Sequence, residues 1–173
     1  MFDVLQILTL ILVVLAMIPA LAHALELPGK LRLAKDQYFV VQPIYYPGFT
    51  IAGISEPIAI ISAVVLLILT TLGSVDFWLT LVALVGLISM HAVYWLFIHP
   101  VNNFWLQGEK LSGLGSGFFS VGSASRRGRQ SECRQVDWAD LRDRWEYSHV
   151  ARVGLAALSF IALVIVISPV SST

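Results

Sequence analysis

The sequence has a single cysteine, Cys133, among 173 residues. No intramolecular disulfide can form, and a zinc site built on paired cysteines is excluded. Cys133 sits among arginines in a polar stretch and reads as an ordinary loop thiol. Charge is scarce as well. Only 13% of residues are charged and 57% are hydrophobic, against about 25% and about 45–50% in soluble domains. Both departures point to lipid as the solvent. Eleven basic residues balance 11 acidic ones, which leaves no global attraction to nucleic acid. The start, Met1-Phe2-Asp3, lacks the basic n-region of a signal peptide. Ala22-His23-Ala24 resembles a cleavage site, but the first apolar run is long enough to span, and it reads as a retained transmembrane helix. No internal repeat is visible. The glycines of Gly113-Leu114-Gly115-Ser116-Gly117 follow no strand and match no phosphate-binding fingerprint.

Four apolar runs are present. The spacing predicts spans over about 4–24, 55–72, 77–98 and 149–167. Each is near the roughly 20 residues that a helix needs to cross a hydrocarbon core, and far longer than a barrel strand. Ser55 reads as an N-cap with Pro57 in the first turn. Pro100 follows the third run and Ser168-Pro169 closes the fourth. The short Gly73–Asp76 link makes spans two and three an antiparallel hairpin. The expected fold is all-α: one membrane domain, residues 1–173, built as a four-helix transmembrane bundle.

The two chain ends and the 73–76 link contain no lysine or arginine. All 11 lie in the two long connections or at the start of span four. The positive-inside rule then places residues 25–54 and 101–148 in the cytoplasm and both termini on the opposite side of the cell membrane. Residues 25–54 carry Tyr38, Phe39, Tyr45, Tyr46 and Phe49, which suits a segment lying at the headgroup interface between helices 1 and 2. Residues 108–132 have the composition of a flexible basic linker. Asp137 reads as the N-cap of a helix running unbroken into span four.

Polar residues mark one end of the bundle. Span three carries His91, Trp95, His99 and, if its helix passes Pro100, Asn102 and Asn103. The helix entering span four carries Trp138, Arg142, Trp145, His149 and Arg152, with Glu146 beside that stripe. Steps of three and four keep each set on one face. Span one ends with His23 and Glu26, and span two begins with Glu56. All but His91 are expected at one cytoplasmic level, with His91 deeper. Buried polar groups are costly in lipid and commonly mark a site.

Two chemistries fit these residues. Glu146-x-x-His149 has the spacing of di-iron bundle ligands, and His23, Glu26, Glu146 and His149 are candidate metal ligands, iron foremost. Alternatively, no cofactor is used. His149, His99 and Glu146 are then the acid–base groups, and Asn102, Arg152, Trp145, Arg142 and His91 hold a lipophilic molecule. A purely structural reading also accounts for the set, with a glutamate neutralising Arg152 and the tryptophans anchoring at the interface.

Pro100-Val101-Asn102-Asn103, then Trp138, Leu141-Arg142, Trp145-Glu146, His149 and Arg152, resemble the anthrone-oxygenase-like membrane family. The match covers mainly residues 85–165, and the four-span layout agrees over the whole chain. The resemblance implies a small four-helix membrane protein. Its fungal members oxygenate anthrones to anthraquinones without a classical cofactor, while most bacterial members are of unknown function. Carried over by position, it makes Asn102, Trp145, His149 and Arg152 site residues. The preferred expectation is an oxidoreductase or oxygenase-like protein acting on a lipophilic aromatic or quinone-like molecule. The alternatives are a non-enzymatic protein that binds membrane lipid or a partner complex, and a proton or small-solute transporter.

Overall fold

The computed structural model describes residues 2–45, 48–105 and 138–168. Among them there are helices and no strand, and four helical stretches are long and apolar enough to cross a membrane. The chain is an all-α, multi-pass four-helix bundle. Cys133, the 108–132 linker and the Asp137 cap lie outside the described residues.

Helix α1 runs Phe2–Lys30. A short α2, Lys35–Val41, a single 3-10 turn, Gln42–Tyr45, and α3, Gly48–Gly53, connect it to α4, Ser55–Leu69. Helix α5, Val75–Val93, passes through a π-helical turn, Tyr94–Ile98, into α6, His99–Trp105. Helix α7, Trp138–Ile167, closes the bundle. The spans neighbour one another as a ring, α1 beside α4 and α7, and α5 beside α4 and α7.

Three boundaries differ from the sequence expectation, each for a local reason. Helix α1 does not stop near Ala24. It continues through Pro28 to Lys30. A proline forfeits one backbone hydrogen bond, which a packed membrane helix tolerates. Ser55 is not an N-cap. The preceding Ile54 is already helical, and the Ser55 hydroxyl donates back to the Ala52 carbonyl at 2.6 Å. Span three does not end at Pro100, because the π turn re-phases the helix ahead of it. The hairpin between α4 and α5 forms as expected. Gly73 takes a positive φ of 80°, which only glycine adopts without strain. Ser74 then caps α5, its Oγ accepting from the Phe77 N–H at 3.1 Å.

The core has three layers. At the far end, Val13, Ala59, Ala63, Leu66, Ala83, Leu84, Leu87, Ala162 and Leu163 pack together. In the middle lie Ala16, Ala20, Met90 and Ala156. At the charged end Tyr38 of α2 packs with Ile98, Val101 and Trp145. Alanine supplies four of the nine residues of the first layer and three of the four of the second, since lipid supplies no hydrophobic drive between helices and close approach has to do the work. Thr9 and Ser62 add a buried hydroxyl pair at 2.7 Å between α1 and α4. Ser159 of α7 donates to the Ala83 carbonyl of α5 at 2.9 Å.

Candidate functional site

The extension of α1 past Ala24 decides the site. His23, Glu26 and Lys30 fall at steps of three and four, hence on one helical face. Lys30 is only 4% exposed, and its ammonium gathers the surrounding acceptors. His23 Nδ1 lies at 2.9 Å, Glu26 Oε2 at 2.9 Å and Glu146 Oε1 at 3.5 Å. The rings of Tyr45 and Trp145 lie 4.6 and 5.1 Å from it, within range of cation–π attraction. A lysine nitrogen only donates here, so the His23 ring keeps its own proton on Nε2.

The connection between α1 and α4 covers this cluster. The Tyr38 hydroxyl donates to Glu146 Oε1 at 2.8 Å and the Tyr45 hydroxyl to Glu26 Oε2 at 2.6 Å. Burial pushes the Tyr38 phenol well above its ordinary value, and the charge of Glu146 and the hydrogen bond to it add to the rise. The Tyr45 phenol is raised too, by burial first and then by its bond to Glu26. His23 is walled by rings: Tyr45 at 4.4 Å, Phe49 at 4.9 Å, Trp145 at 4.6 Å and His149 at 4.2 Å. Trp145 is held in turn by its indole N–H, which donates to Asn102 Oδ1 at 2.7 Å.

A second tier lies deeper. Arg152 donates to Glu56 Oε2 at 2.5 Å, and Glu56 Oε1 stands 3.3 Å from His91 Nδ1. The His91 Nε2 accepts from the Trp95 indole at 2.9 Å. At about 1.5 Å per residue, Glu56 lies roughly 20 Å from the Leu69 end of α4. By the same rise, Arg152 lies roughly 22 Å from the Ile167 end of α7 and His91 roughly 24 Å from the Val75 end of α5. On α7 itself, Arg152 lies six residues beyond Glu146, about 9 Å further from the charged end. Glu56 and Arg152 are therefore not level with His23 and Glu146, as the sequence reading had them. They descend to meet His91, and the site has two storeys.

The structure thus brings His23, Glu26, Trp145 and Glu146 together around Lys30, packs His149 against the His23 and Trp145 rings, joins Arg152 and His91 through Glu56, and ties Asn102 to Trp145. Two sequence candidates stand aside. His99 is buried with its ring on Trp95 at 4.8 Å and its Nε2 unpartnered. Arg142 pairs with its neighbour Asp143 at 2.7 Å and lies over the Trp138 ring at 5.1 Å. Sequence reasoning missed Lys30, Tyr38 and Tyr45 as site residues. The i, i+3, i+7 spacing of His23, Glu26 and Lys30 is the signal that finds Lys30. It was hidden by ending the helix before Pro28.

Among the described residues, no group of three or more His, Cys, Asp or Glu is placed to hold a metal ion. Three of the four donors named as metal ligands from sequence, His23, Glu26 and Glu146, do converge, but on the Lys30 ammonium. A fixed positive charge at their centre repels a divalent ion, so this set does not fit iron.

What remains open to chemistry is on α7. His149 is 4% exposed, and neither ring nitrogen has a hydrogen-bond partner among the described residues. Glu146 Oε2 and Arg152 Nε, one turn to either side, are buried and unpartnered as well. Residues 146, 149 and 152 share one helical face. Buried polar atoms are almost always satisfied, so a run of unsatisfied ones calls for an explanation. No protein-family model, no curated protein and no solved structure matches the chain.

Proposed function

We propose that this chain is a membrane-embedded oxidoreductase or oxygenase-like protein acting on a small lipophilic aromatic or quinone-like molecule, with His149 as its acid–base group. The observation that carries the reading is His149 itself. It is buried between aromatic rings, with no hydrogen-bond partner among the described residues for either nitrogen, one turn from an Arg152 guanidinium nitrogen that has none among them either. A neutral imidazole in that position takes a proton from an acidic O–H or C–H of a bound ligand. The Arg152 N–H then holds the oxyanion that forms. The resulting phenolate or enolate is the electron-rich species that an oxidant, dioxygen in the oxygenase case, converts to the quinone-like product. Trp145, fixed by Asn102, supplies a flat wall for the aromatic ring. The anthrone-oxygenase-like resemblance points to the same chemistry. The charged end, by the distribution of lysine and arginine, faces the cytoplasm, with the termini opposite.

The inner tier favours a second reading, proton or small-solute transport, because Glu56, His91 and Arg152 form an ionisable group inside the span. The two are separated by one experiment. Protein in lipid nanodiscs is titrated with hydroxylated and carbonyl-bearing polycyclic aromatics, binding being read from tryptophan fluorescence and turnover from product absorbance. Loss of both signals in His149→Ala and Arg152→Ala supports the enzyme. Unchanged binding and turnover in both variants overturns it, and proton flux in liposomes then tests transport.

A further inference from the structure

The site contains five charged side chains linked by direct contacts: Lys30 and Arg152 against Glu26, Glu56 and Glu146. The pairing is unequal. Arg152 is taken by Glu56 at 2.5 Å. The nearest carboxylate oxygen to Lys30 is that of Glu26 at 2.9 Å, and Glu146 stands back at 3.5 Å. Two cations therefore stand against three acids, and the acid that shares its cation at the longer distance is the one with 0% exposure. An ionised carboxylate that is fully buried and only shares a counter-charge with a second acid binds a proton in preference to staying charged.

The hydrogen bonds agree with that count. Oε1 of Glu146 accepts from the Tyr38 hydroxyl, as the carbonyl oxygen of an acid does. Oε2 has no partner among the described residues, which is the place for the acid proton. The histidines are poorer holders of it. His23 Nδ1 already accepts from Lys30, and a doubly protonated His149 would add a buried positive charge one turn from Arg152, whereas a protonated Glu146 is neutral. The groups that face Glu146 are Glu26 and Lys30 from α1, Tyr38 from α2 and Tyr45 from the 3-10 turn.

We infer that Glu146 is a protonated carboxylic acid in the resting protein, and that Glu26 and Lys30 form the route by which its proton exchanges with water. This rests on the acid–base reading of the site and supplies what that reading lacks. His149 is sealed from solvent, so a proton donor beside it needs its own connection to the aqueous face. Glu26 is 43% exposed, and it shares the Lys30 ammonium with Glu146. The transfer balances in one exchange. The Glu146 carboxyl turns about its Cγ–Cδ bond to bring Oε2 toward the ammonium, and Lys30 then passes one of its protons to that oxygen and takes one from a protonated Glu26. Lys30 ends as ammonium, Glu26 as carboxylate and Glu146 as acid.

Infrared spectroscopy of the full chain in lipid nanodiscs at neutral pH tests this without any ligand. The expected result is a carboxylic-acid carbonyl band that moves to lower frequency in heavy water and is absent in Glu146→Gln. Labelling the unmutated protein with heavy-carbon glutamate must move the same band, so its identification does not hang on how the variant folds. After transfer to heavy water, the shift is expected to develop at least several-fold more slowly in Glu26→Gln and in Lys30→Met than in the wild type. Glu26→Gln alters a half-exposed side chain, which keeps the comparison available if Lys30→Met does not fold. Absence of the band, or its persistence in Glu146→Gln, overturns the assignment of the proton. Equal exchange rates in wild type and Glu26→Gln overturn the route. Either failure leaves the His149 reading standing, because that reading is judged on ligand binding and turnover.

Discussion

The Arg144 guanidinium donates to the Leu96 carbonyl at 2.7 Å, and Leu96 is the residue whose carbonyl Pro100 cannot serve. A regular helix pairs the carbonyl of residue 96 with the N–H of residue 100, and proline has none. The π turn Tyr94–Ile98 sits at this break, and a cation from α7 crosses to close it, lying 5.3 Å from the Phe97 ring. Arg144→Met is expected to cost about 0.5–1.5 kcal/mol, the net worth of one hydrogen bond at an exposed side chain. Restoring the N–H with Pro100→Ala is expected to make the same arginine substitution cheaper. A double-mutant cycle on denaturant unfolding in detergent checks this, and simple additivity would show that the two residues do not share the carbonyl.

Deep in the bundle, Gly86 of α5 has no side chain because Ser159 of α7 fills that space. A Cβ at residue 86 would overlap the Ser159 hydroxyl and come within 3.1 Å of the Leu155 carbonyl. Gly86→Ala is expected to destabilise by about 1–3 kcal/mol, the usual cost of overpacking. Adding Ser159→Ala removes the overlapping oxygen and is expected to recover part of the loss. The recovery is incomplete because the Leu155 carbonyl is backbone and cannot move aside. Unfolding of the single and double variants in detergent measures it.

Tyr38 and Tyr45 tie the interfacial segment to the bundle through neutral phenols. Both titrate above the ordinary tyrosine value of about 10, chiefly through burial and secondarily through Glu146 and Glu26. A group whose folded pKa is raised holds its proton more tightly when folded. Its contribution is therefore complete below the unfolded value and is lost as pH rises toward the folded one. The protein is expected to lose stability above about pH 10, with the Tyr38→Phe/Tyr45→Phe variant showing a shallower alkaline loss. Phenolate absorbance against pH, followed together with unfolding, checks the sign. An equal alkaline slope in the double variant would place the effect elsewhere.

The spans were legible because lipid imposes a length and an apolar composition that nothing else imitates. The 73–76 hairpin was legible because Gly73 and Ser74 each have one local job. The site was half legible. His149, Trp145, Arg152 and Asn102 announce themselves by helical spacing. Lys30 did not, because a lysine near a span end is first a topology signal and the apolar run that defines the first span ends near Ala24. The depth of Glu56 was hidden for a related reason. A carboxylate in the first turn of a helix reads as interfacial, and only the neighbouring helices show that α4 starts below the level at which α1 ends. Pairings between helices, such as Tyr38 with Glu146, depend on how the connection folds back, and no sequence period encodes that.

The Glu56–Arg152 pair provides the sharpest test of whether the inner tier serves stability or function. Glu56→Gln strips a buried guanidinium of its counter-charge while leaving its volume in place. Breaking a buried ion pair from one side typically costs about 3–5 kcal/mol, so this variant is expected to be the least stable of the set. Arg152→Met in the same chain removes the stranded charge and is expected to recover most of that cost. His91 then loses its carboxylate partner at 3.3 Å, but at 33% exposed it is not sealed in as Arg152 is. If the pair were only structural, the stabilised double variant would bind aromatic ligands as the wild type does. The expected outcome is the reverse: a folded protein, shown by cooperative unfolding in detergent, whose ligand-dependent tryptophan quenching is lost. Arg152 Nε is the buried donor left over after Glu56 is satisfied, and methionine has nothing to put in its place.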